Sequence, residues 1–113
     1  NIKAIMDVNR QQCDGAMESV MQAGDIQAKM EAFGAKVVSI DGHDIGAMRE
    51  AAATPHPGQP LIILAHTSPY QGMPALEARF PRLHYVRFKE EAERAQMNRD
   101  IAASLGIEPV DYA

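Results

Sequence analysis

The chain has 113 residues, of which 46% are apolar and 23% charged, and its formal net charge is -4 at pH 7. These values predict one small globular domain and exclude a wholly disordered chain, because the apolar share is sufficient for a core. The mild acidity argues against nucleic acid as the main partner, since phosphate binding needs a clustered basic surface.

The first half of the chain predicts a strand, a helix and a second strand. Residues 2–8 form an apolar run that is typical of a strand, and residues 9–24 predict a loop. Asp25 can cap a helix that Gly34 ends, and residues 36–40 predict the second strand. The expected apolar face of this helix consists of Ile26, Met30 and Phe33.

The second half continues the alternation of helix and strand. Asp44 can cap a second helix, and the continuous apolar run 61–65 predicts a strand covered on both faces. Residues 83–88 predict a short edge strand, and residues 89–105 a long polar helix that Gly106 stops. The expected apolar positions of the two helices are Ile45, Met48 and Ala52, and then Met97, Ile101 and Leu105.

This element order predicts an α/β fold with a three-layer parallel sheet and crossover helices. Ligands of such sheets bind at the carboxyl ends of the strands. Three loops are expected to gather there, namely residues 8–15, 41–44 and 66–72. No apolar run approaches the roughly 18 residues of a membrane span. The single Cys13 excludes an internal disulfide and indicates a reducing cytoplasm.

The first loop carries oxygen donors that suit a hard divalent cation. The Asn9 amide and the Gln11 backbone carbonyl would supply two neighbouring oxygens, and Mg²⁺ prefers oxygen ligands in near-octahedral geometry. The alternative is a solvated turn in which Asn9 and Asp14 bond their own backbone. Spacing by itself leaves both interpretations open.

The order of motifs resembles transketolase. Asp-x-Asn-x-x-x-x-Asp-Gly follows the first strand, Glu31-Ala32-Phe33-Gly34 ends the helix, and Asp41-Gly42-His43-Asp44 follows the second strand. Gln59-Pro60-Leu61-Ile62-Ile63 and a Thr67-bearing loop come next. The resemblance covers about residues 2–72 and is to the second half of the amino-terminal domain that binds thiamine diphosphate. The spelling Asn9-x-Gln11 is closer to the homodimeric pyruvate dehydrogenase component.

The resemblance implies a cofactor site that is incomplete in this chain. Thiamine diphosphate is anchored in the family through Mg²⁺ or Ca²⁺, and the implied metal ligands here are Asn9 and the Gln11 carbonyl. The implied cofactor-binding residues also include Asp14 and Thr67. The Gly-Asp-Gly segment and the glutamate that activates the cofactor in the family are not in this sequence.

The resemblance further implies part of a transketolase that transfers a two-carbon ketol unit between sugar phosphates. The resemblance also implies a cytoplasmic homo-oligomer. The partner of this chain would be the rest of the transketolase, either as further segments or as a further subunit. Neither nucleic acid nor a membrane is an expected partner. One alternative is a related 2-oxo acid dehydrogenase component. The other is a non-catalytic split-subunit or assembly module. Because the chain starts at Asn1 without Met, we expect a piece of a longer polypeptide: core 1–88, helix 89–105 and tail 106–113.

The histidines and the cysteine have both functional and structural interpretations. His66 at the end of a buried strand, and His84 by the resemblance, are the candidate catalytic residues; the alternative for both is a polar rim position. His43 is expected to support a turn, and His56 between two prolines to be exposed. Cys13 is expected to be a small, partly buried filler.

Overall fold

A computed structural model describes residues 2–13 and 15–110. The chain forms two compact units. The first contains Ala16–Ser68 together with the chain before Cys13, and the second contains the chain from Pro69 onward with Cys13 and Gly15. Within the described residues, no helix has the length and apolar character needed to cross a membrane.

The described residues form five strands and five helices. The strands are β1 (Lys3–Val8), β2 (Gln11–Gln12), β3 (Gly15–Ala16), β4 (Lys36–Asp41) and β5 (Leu61–His66). The helices are α1 (Met17–Val20), α2 (Ile26–Ala32), α3 (Ile45–Ala52), α4 (Pro74–Glu77) and α5 (Glu91–Leu105).

The main sheet belongs to the first unit and is fully parallel. Its order is β1-β5-β4, and Ile63 of β5 lies opposite Ile5 of β1 and Val38 of β4. This arrangement confirms the predicted α/β fold with a parallel sheet and crossover helices. Because all three strands run in the same direction, their carboxyl ends lie at one edge of the sheet.

The core of the first unit is built on the central strand, as the apolar run predicted. Leu61 and Ile63 are fully buried, and α3 contributes the buried Ala51. Truncating a fully buried Ile or Leu to Ala typically costs about 2–5 kcal/mol. The partly buried side chains packed against this cluster are Val38, Ile40, Met48 and Ala52.

The predicted caps of α2 and α3 and the predicted stop of α5 agree with the structure, whereas α5 begins at Glu91 rather than at residue 89. Asp25 caps α2 by accepting from the Ala28 N–H at 2.9 Å, and Asp44 caps α3 by accepting from the Ala47 N–H at 2.9 Å. A capping carboxylate satisfies one of the N–H groups that the first helical turn leaves unpaired. Gly106, at φ 66°, ends α5 in the left-handed conformation that glycine tolerates.

Several expectations about exposed segments were wrong. Residues 83–88 form no strand, and the Arg79 guanidinium instead donates to the Arg87 backbone carbonyl. The predicted loop 9–24 contains β2, β3 and α1. Two expected helix-face residues are exposed because Phe33 follows the end of α2 and Ile45 is the first residue of α3. Leu105, the last residue of α5, is likewise exposed.

Candidate functional site

The loops after β1, β4 and β5 are joined by hydrogen bonds at the carboxyl edge of the sheet. The Gly42 N–H donates to the His66 carbonyl at 2.8 Å, and the Thr67 N–H donates to the Val8 carbonyl at 3.3 Å. The Ser68 N–H donates to His43 Nε2 at 2.8 Å. The parallel order therefore brings the predicted loops together in the first unit.

Gly42 permits the close approach of two of these loops. A Cβ atom at this position would lie 2.5 Å from Thr67 Cγ2 and 3.1 Å from both Ala65 Cβ and the His66 carbonyl oxygen. Real Cβ atoms do not come within 2.5 Å of a neighbouring carbon. The Asp41-Gly42-His43 turn therefore needs glycine in order to pack against the end of β5.

Asp7 connects Thr67 and Asn9 at this edge. The Thr67 hydroxyl donates to Asp7 Oδ1, and the Asn9 amide nitrogen donates to Asp7 Oδ2 at 3.3 Å. The Asn9 amide oxygen accepts from the Gln11 backbone N–H at 2.9 Å. Arg10, at φ 60°, makes the left-handed turn between these two residues. Both ends of the Asn9 amide are therefore held, and its orientation is fixed.

The geometry agrees in part with each interpretation of the first loop. The bond from the Gln11 N–H to the Asn9 oxygen is the self-bonded turn of the structural alternative. An amide oxygen has two lone pairs, however, so this bond leaves one that can contact a cation. The metal role of Asn9 and the Gln11 carbonyl therefore stays a prediction. Asp14 lies outside the described residues.

The oxygens around Asn9 and Thr67 are the neutral amide and hydroxyl oxygens and the carboxylate of Asp7. Among residues 2–13 and 15–110, no group of three or more His, Cys, Asp or Glu side chains could hold a metal ion. A hard cation here would need oxygens from elsewhere, such as those of a phosphate group. The Ser68 hydroxyl is buried without a hydrogen-bond partner in the described part of the chain. A donor in that state fits an oxygen-rich ligand.

The side chains of His66 and Thr67 point to opposite faces of the sheet, because side chains alternate along an extended chain. Thr67 reaches Asp7, whereas His66 Nε2 is 2.8 Å from Ser39 Oγ of β4. The His66–Ser39 pair lines a cavity of about 430 Å³. Val8 and Leu64 form part of its apolar wall.

The remaining candidates have separate surroundings. His43 supports the turn, as expected, through the N–H of Ser68, whereas His56 is half-buried rather than exposed, with its Nδ1 2.9 Å from the Gln59 carbonyl. His84 belongs to the second unit, where its ring packs edge-on against Tyr85 with centroids 4.5 Å apart. Cys13 is exposed, so the prediction of a partly buried filler was wrong.

Sequence reasoning missed Asp7, Ser39 and the packing role of Gly42. Asp7 was detectable as an acidic residue inside an apolar strand, two positions before Asn9. Ser39 was detectable only as a polar interruption of the run Val37-Val38-Ser39-Ile40. Neither signal indicates the hydrogen-bond partner, because Thr67 is distant in sequence from Asp7 and His66 is distant from Ser39.

Comparison with known proteins identifies relatives of the chain. An uncharacterized transketolase family protein of Sinorhizobium fredii is 40% identical over 109 residues, which cover 93% of this chain and 38% of that protein. The chain is homologous to a segment of this transketolase family protein. One subunit of the apulose-4-phosphate transketolase of Actinobacillus succinogenes is 29% identical over 96 residues, covering 84% of this chain and 35% of that relative.

This homology confirms the resemblance to transketolase that the motifs indicated. The chain spans 38% and 35% of the length of these two relatives. No protein-family profile matches the chain, and no solved structure matches it.

Proposed function

We propose that this chain is the part of a transketolase that binds the diphosphate end of thiamine diphosphate through Mg²⁺. The complete protein would transfer a two-carbon ketol unit between sugar phosphates in the cytoplasm. Two relatives named as transketolases support the reaction class, and one of them is named for a sugar phosphate. Asn9 and the Gln11 carbonyl are the proposed metal ligands.

The observation that carries the proposal is the fixed orientation of the Asn9 amide. Asp7 Oδ2 accepts from its nitrogen at 3.3 Å, and the Gln11 N–H donates to its oxygen at 2.9 Å. A ligand whose oxygen is already oriented loses little side-chain entropy when it binds a cation. Asp7 is therefore a positioning residue for Asn9.

Thr67 and Ser68 are proposed to line the phosphate side of the same edge. The Ser68 hydroxyl is buried without a partner among the described residues, and a phosphate oxygen would satisfy it. When bound, thiamine diphosphate supplies the nucleophilic carbon and the electron sink of ketol transfer. The residues of this chain bind and orient that group, and Asp14 is proposed to assist from the same loop.

His66 and His84 remain the proposed proton-transferring residues. His66 Nε2 lies 2.8 Å from Ser39 Oγ at the wall of the cavity, so a proton can be held between these two atoms. His84 is exposed and its ring contacts Tyr85, which leaves its nitrogens accessible. Each histidine is proposed to transfer a hydroxyl proton of a sugar phosphate.

The test measures cofactor binding by the complete gene product, because the chain spans 38% of the Sinorhizobium fredii relative. Thiamine diphosphate binding is titrated against Mg²⁺ by calorimetry for the native protein, Asn9→Ala and Asn9→Asp. We expect Asn9→Ala to raise the half-saturating Mg²⁺ concentration about ten-fold or more, because a charge-assisted contact is lost. Asn9→Asp retains an oxygen ligand and should bind.

The matched control is Asn98→Ala. The Asn98 amide donates to the Val110 carbonyl in the second unit, so its removal should leave the Mg²⁺ requirement unchanged. An unchanged Mg²⁺ requirement in Asn9→Ala would contradict the metal assignment. We expect binding by the isolated chain to be too weak to measure, and to return when the other transketolase segments are added.

The partner is proposed to be the remaining transketolase segments, on the same polypeptide or on a second one. Among residues 2–13 and 15–110, β1 has a sheet neighbour on one side only, and Ile2 and Ile5 are 67% and 61% exposed. An uncovered apolar strand edge is a pairing surface. The Actinobacillus succinogenes relative is named as one subunit of its enzyme, which supports a transketolase built from more than one kind of chain. A homo-oligomer of the complete assembly is proposed with it.

Non-catalytic assembly is the second candidate function, favoured by the same exposed strand. Replacing Ile5 by Lys would place a charge on that surface. If assembly is its function, Ile5→Lys should abolish co-purification with the other segments, whereas Asn9→Ala should leave assembly intact. If the catalytic proposal is correct, Asn9→Ala should lose cofactor binding within an intact assembly.

A further inference from the structure

The second unit contains a strongly basic segment in a chain that is acidic overall. Between Glu77 and Glu90 the sequence holds Arg79, Arg82, Arg87 and Lys89 and no acidic residue, although the whole chain has a net charge of -4. Three of these four cations, Arg79, Arg82 and Arg87, line one cavity of about 660 Å³, here called the arginine cavity. Its volume lies in the range of small-molecule sites.

One of the three guanidinium groups has a structural role. Arg79 Nη1 forms an ion pair with Glu93 Oε1 at 3.3 Å, and Nη2 donates to the Arg87 backbone carbonyl. The Arg79 guanidinium also lies over the Phe88 ring, 5.2 Å from its centroid. Arg79 therefore holds the segment in place, and its charge is largely matched by Glu93.

The other two guanidinium groups lack a carboxylate partner among the described residues. Arg82 forms no side-chain hydrogen bond or ion pair there. The Arg87 guanidinium lies over the Tyr85 ring, 5.6 Å from its centroid, and that contact leaves its N–H groups available. Two positive charges on one concave surface repel each other unless an anion lies between them.

The chemistry of this surface fits an organic phosphate. Guanidinium groups match the oxygens of a phosphate monoester with paired hydrogen bonds, and such bonds to charged groups are about twice as strong as neutral ones. Phe80 and the 61% exposed Tyr85 line the same cavity and offer an apolar wall to the carbon skeleton. A flat acidic peptide would not need the concave shape.

We propose that the arginine cavity binds a small organic phosphate through Arg82 and Arg87, with Phe80 and Tyr85 against its carbon skeleton. The site lies wholly in the second unit. It uses none of the residues assigned to the metal or to thiamine diphosphate, so it does not depend on the proposed binding of the cofactor.

The test uses the full chain without Mg²⁺ or thiamine diphosphate. Glucose 6-phosphate is titrated while the arginine side-chain Nε–H signals are followed by NMR, with glucose as the matched uncharged ligand. We expect the Arg82 and Arg87 signals to shift with glucose 6-phosphate and not with glucose. Binding should weaken as NaCl is raised, because exposed charges are screened. Equal shifts with both ligands would overturn the proposal.

Variants locate the binding. Arg82→Gln and Arg87→Gln should each weaken binding about ten-fold, and Arg87→Lys less, because lysine keeps the charge without the paired geometry. Arg49→Gln, on α3 of the first unit, removes the same charge elsewhere and should have no effect. Should a glutamine variant fail to fold, Arg82→Lys replaces it, with several-fold weaker binding expected.

Three further results would refute the site. Equal weakening in Arg49→Gln would show an effect of net charge rather than of these side chains. Unchanged affinity in both Arg82 and Arg87 variants would place the ligand elsewhere. Tighter binding of a tetraglutamate peptide than of glucose 6-phosphate would identify the surface as one for acidic peptides. Asn9→Ala should retain the binding, which separates failure here from failure of the cofactor proposal.

Discussion

His43 Nε2 accepts a hydrogen bond from the backbone N–H of Ser68 at 2.8 Å. This bond joins the loop after β4 to the loop after β5, which are 25 residues apart in sequence. Because Nε2 is the acceptor, the neutral His43 ring carries its proton on Nδ1. A histidine engaged in this way has a structural role at the edge where the ligand is proposed to bind.

His43→Ala should lower the free energy of unfolding by about 1–2 kcal/mol, because the half-buried Ser68 N–H loses its acceptor. Urea denaturation followed by circular dichroism measures the change. His84→Ala is the matched control, since His84 is exposed, and its effect should stay within about 0.5 kcal/mol. Equal losses in the two variants would contradict the structural role of His43.

Gly42→Ala should destabilise the first unit by about 1–3 kcal/mol through overpacking, since the new Cβ would meet Thr67 Cγ2 at 2.5 Å. Thr67→Ser removes Cγ2 and keeps the hydroxyl that donates to Asp7. The double variant should therefore recover part of the loss. A double-mutant cycle by urea denaturation measures the coupling, and strictly additive effects would disprove the contact.

Arg10→Gly and Arg10→Val should have opposite effects, because Arg10 occupies φ 60°. Glycine adopts this conformation without a steric cost, whereas a β-branched residue there is a strong outlier. We expect Arg10→Gly to match or slightly exceed the native stability, and Arg10→Val to lose about 1–2 kcal/mol. Thermal or urea unfolding of both variants checks the difference; similar stabilities would refute the turn conformation.

The pKa of Glu91 should lie below its ordinary value, because the Arg94 side chain donates hydrogen bonds to its carboxylate. These bonds, together with the smaller attraction of the Arg94 charge, outweigh the opposing desolvation. This contribution to stability is present above the unfolded-state pKa and is lost as pH falls through the lower folded-state pKa. Carbon-13 NMR titration of the Glu91 carboxyl measures it.

Arg94→Gln should return the Glu91 pKa toward its ordinary value. Arg99→Gln is the control on the same helix, because Arg99 donates to Gln96 and should leave Glu91 unchanged. The assigned pair of Glu91 and Arg94 would be contradicted if the Glu91 pKa stayed the same in Arg94→Gln but changed in Arg99→Gln.

Local patterns were sufficient for β1, β4, β5, α2 and α3 of the first unit, but not for the short elements between residues 11 and 20. The capping roles of Asp25 and Asp44 and the burial of β5 follow from residues within a few positions of one another. The prediction of an edge strand at residues 83–88 was wrong. A strand also needs a partner edge, and here the Arg87 carbonyl is bonded by a side chain instead.

Sequence by itself determined the parallel α/β class, the relationship to transketolases and the choice of Asn9 and Gln11 as candidates. Tertiary structure decided that Asp7 orients Asn9, that His66 pairs with Ser39, and that three arginines share a cavity. Caps and periodicity act between near neighbours, so a sequence displays them. Contacts across 27 or 60 residues exist only after the strands pair, because the sheet alone brings those side chains within hydrogen-bond distance.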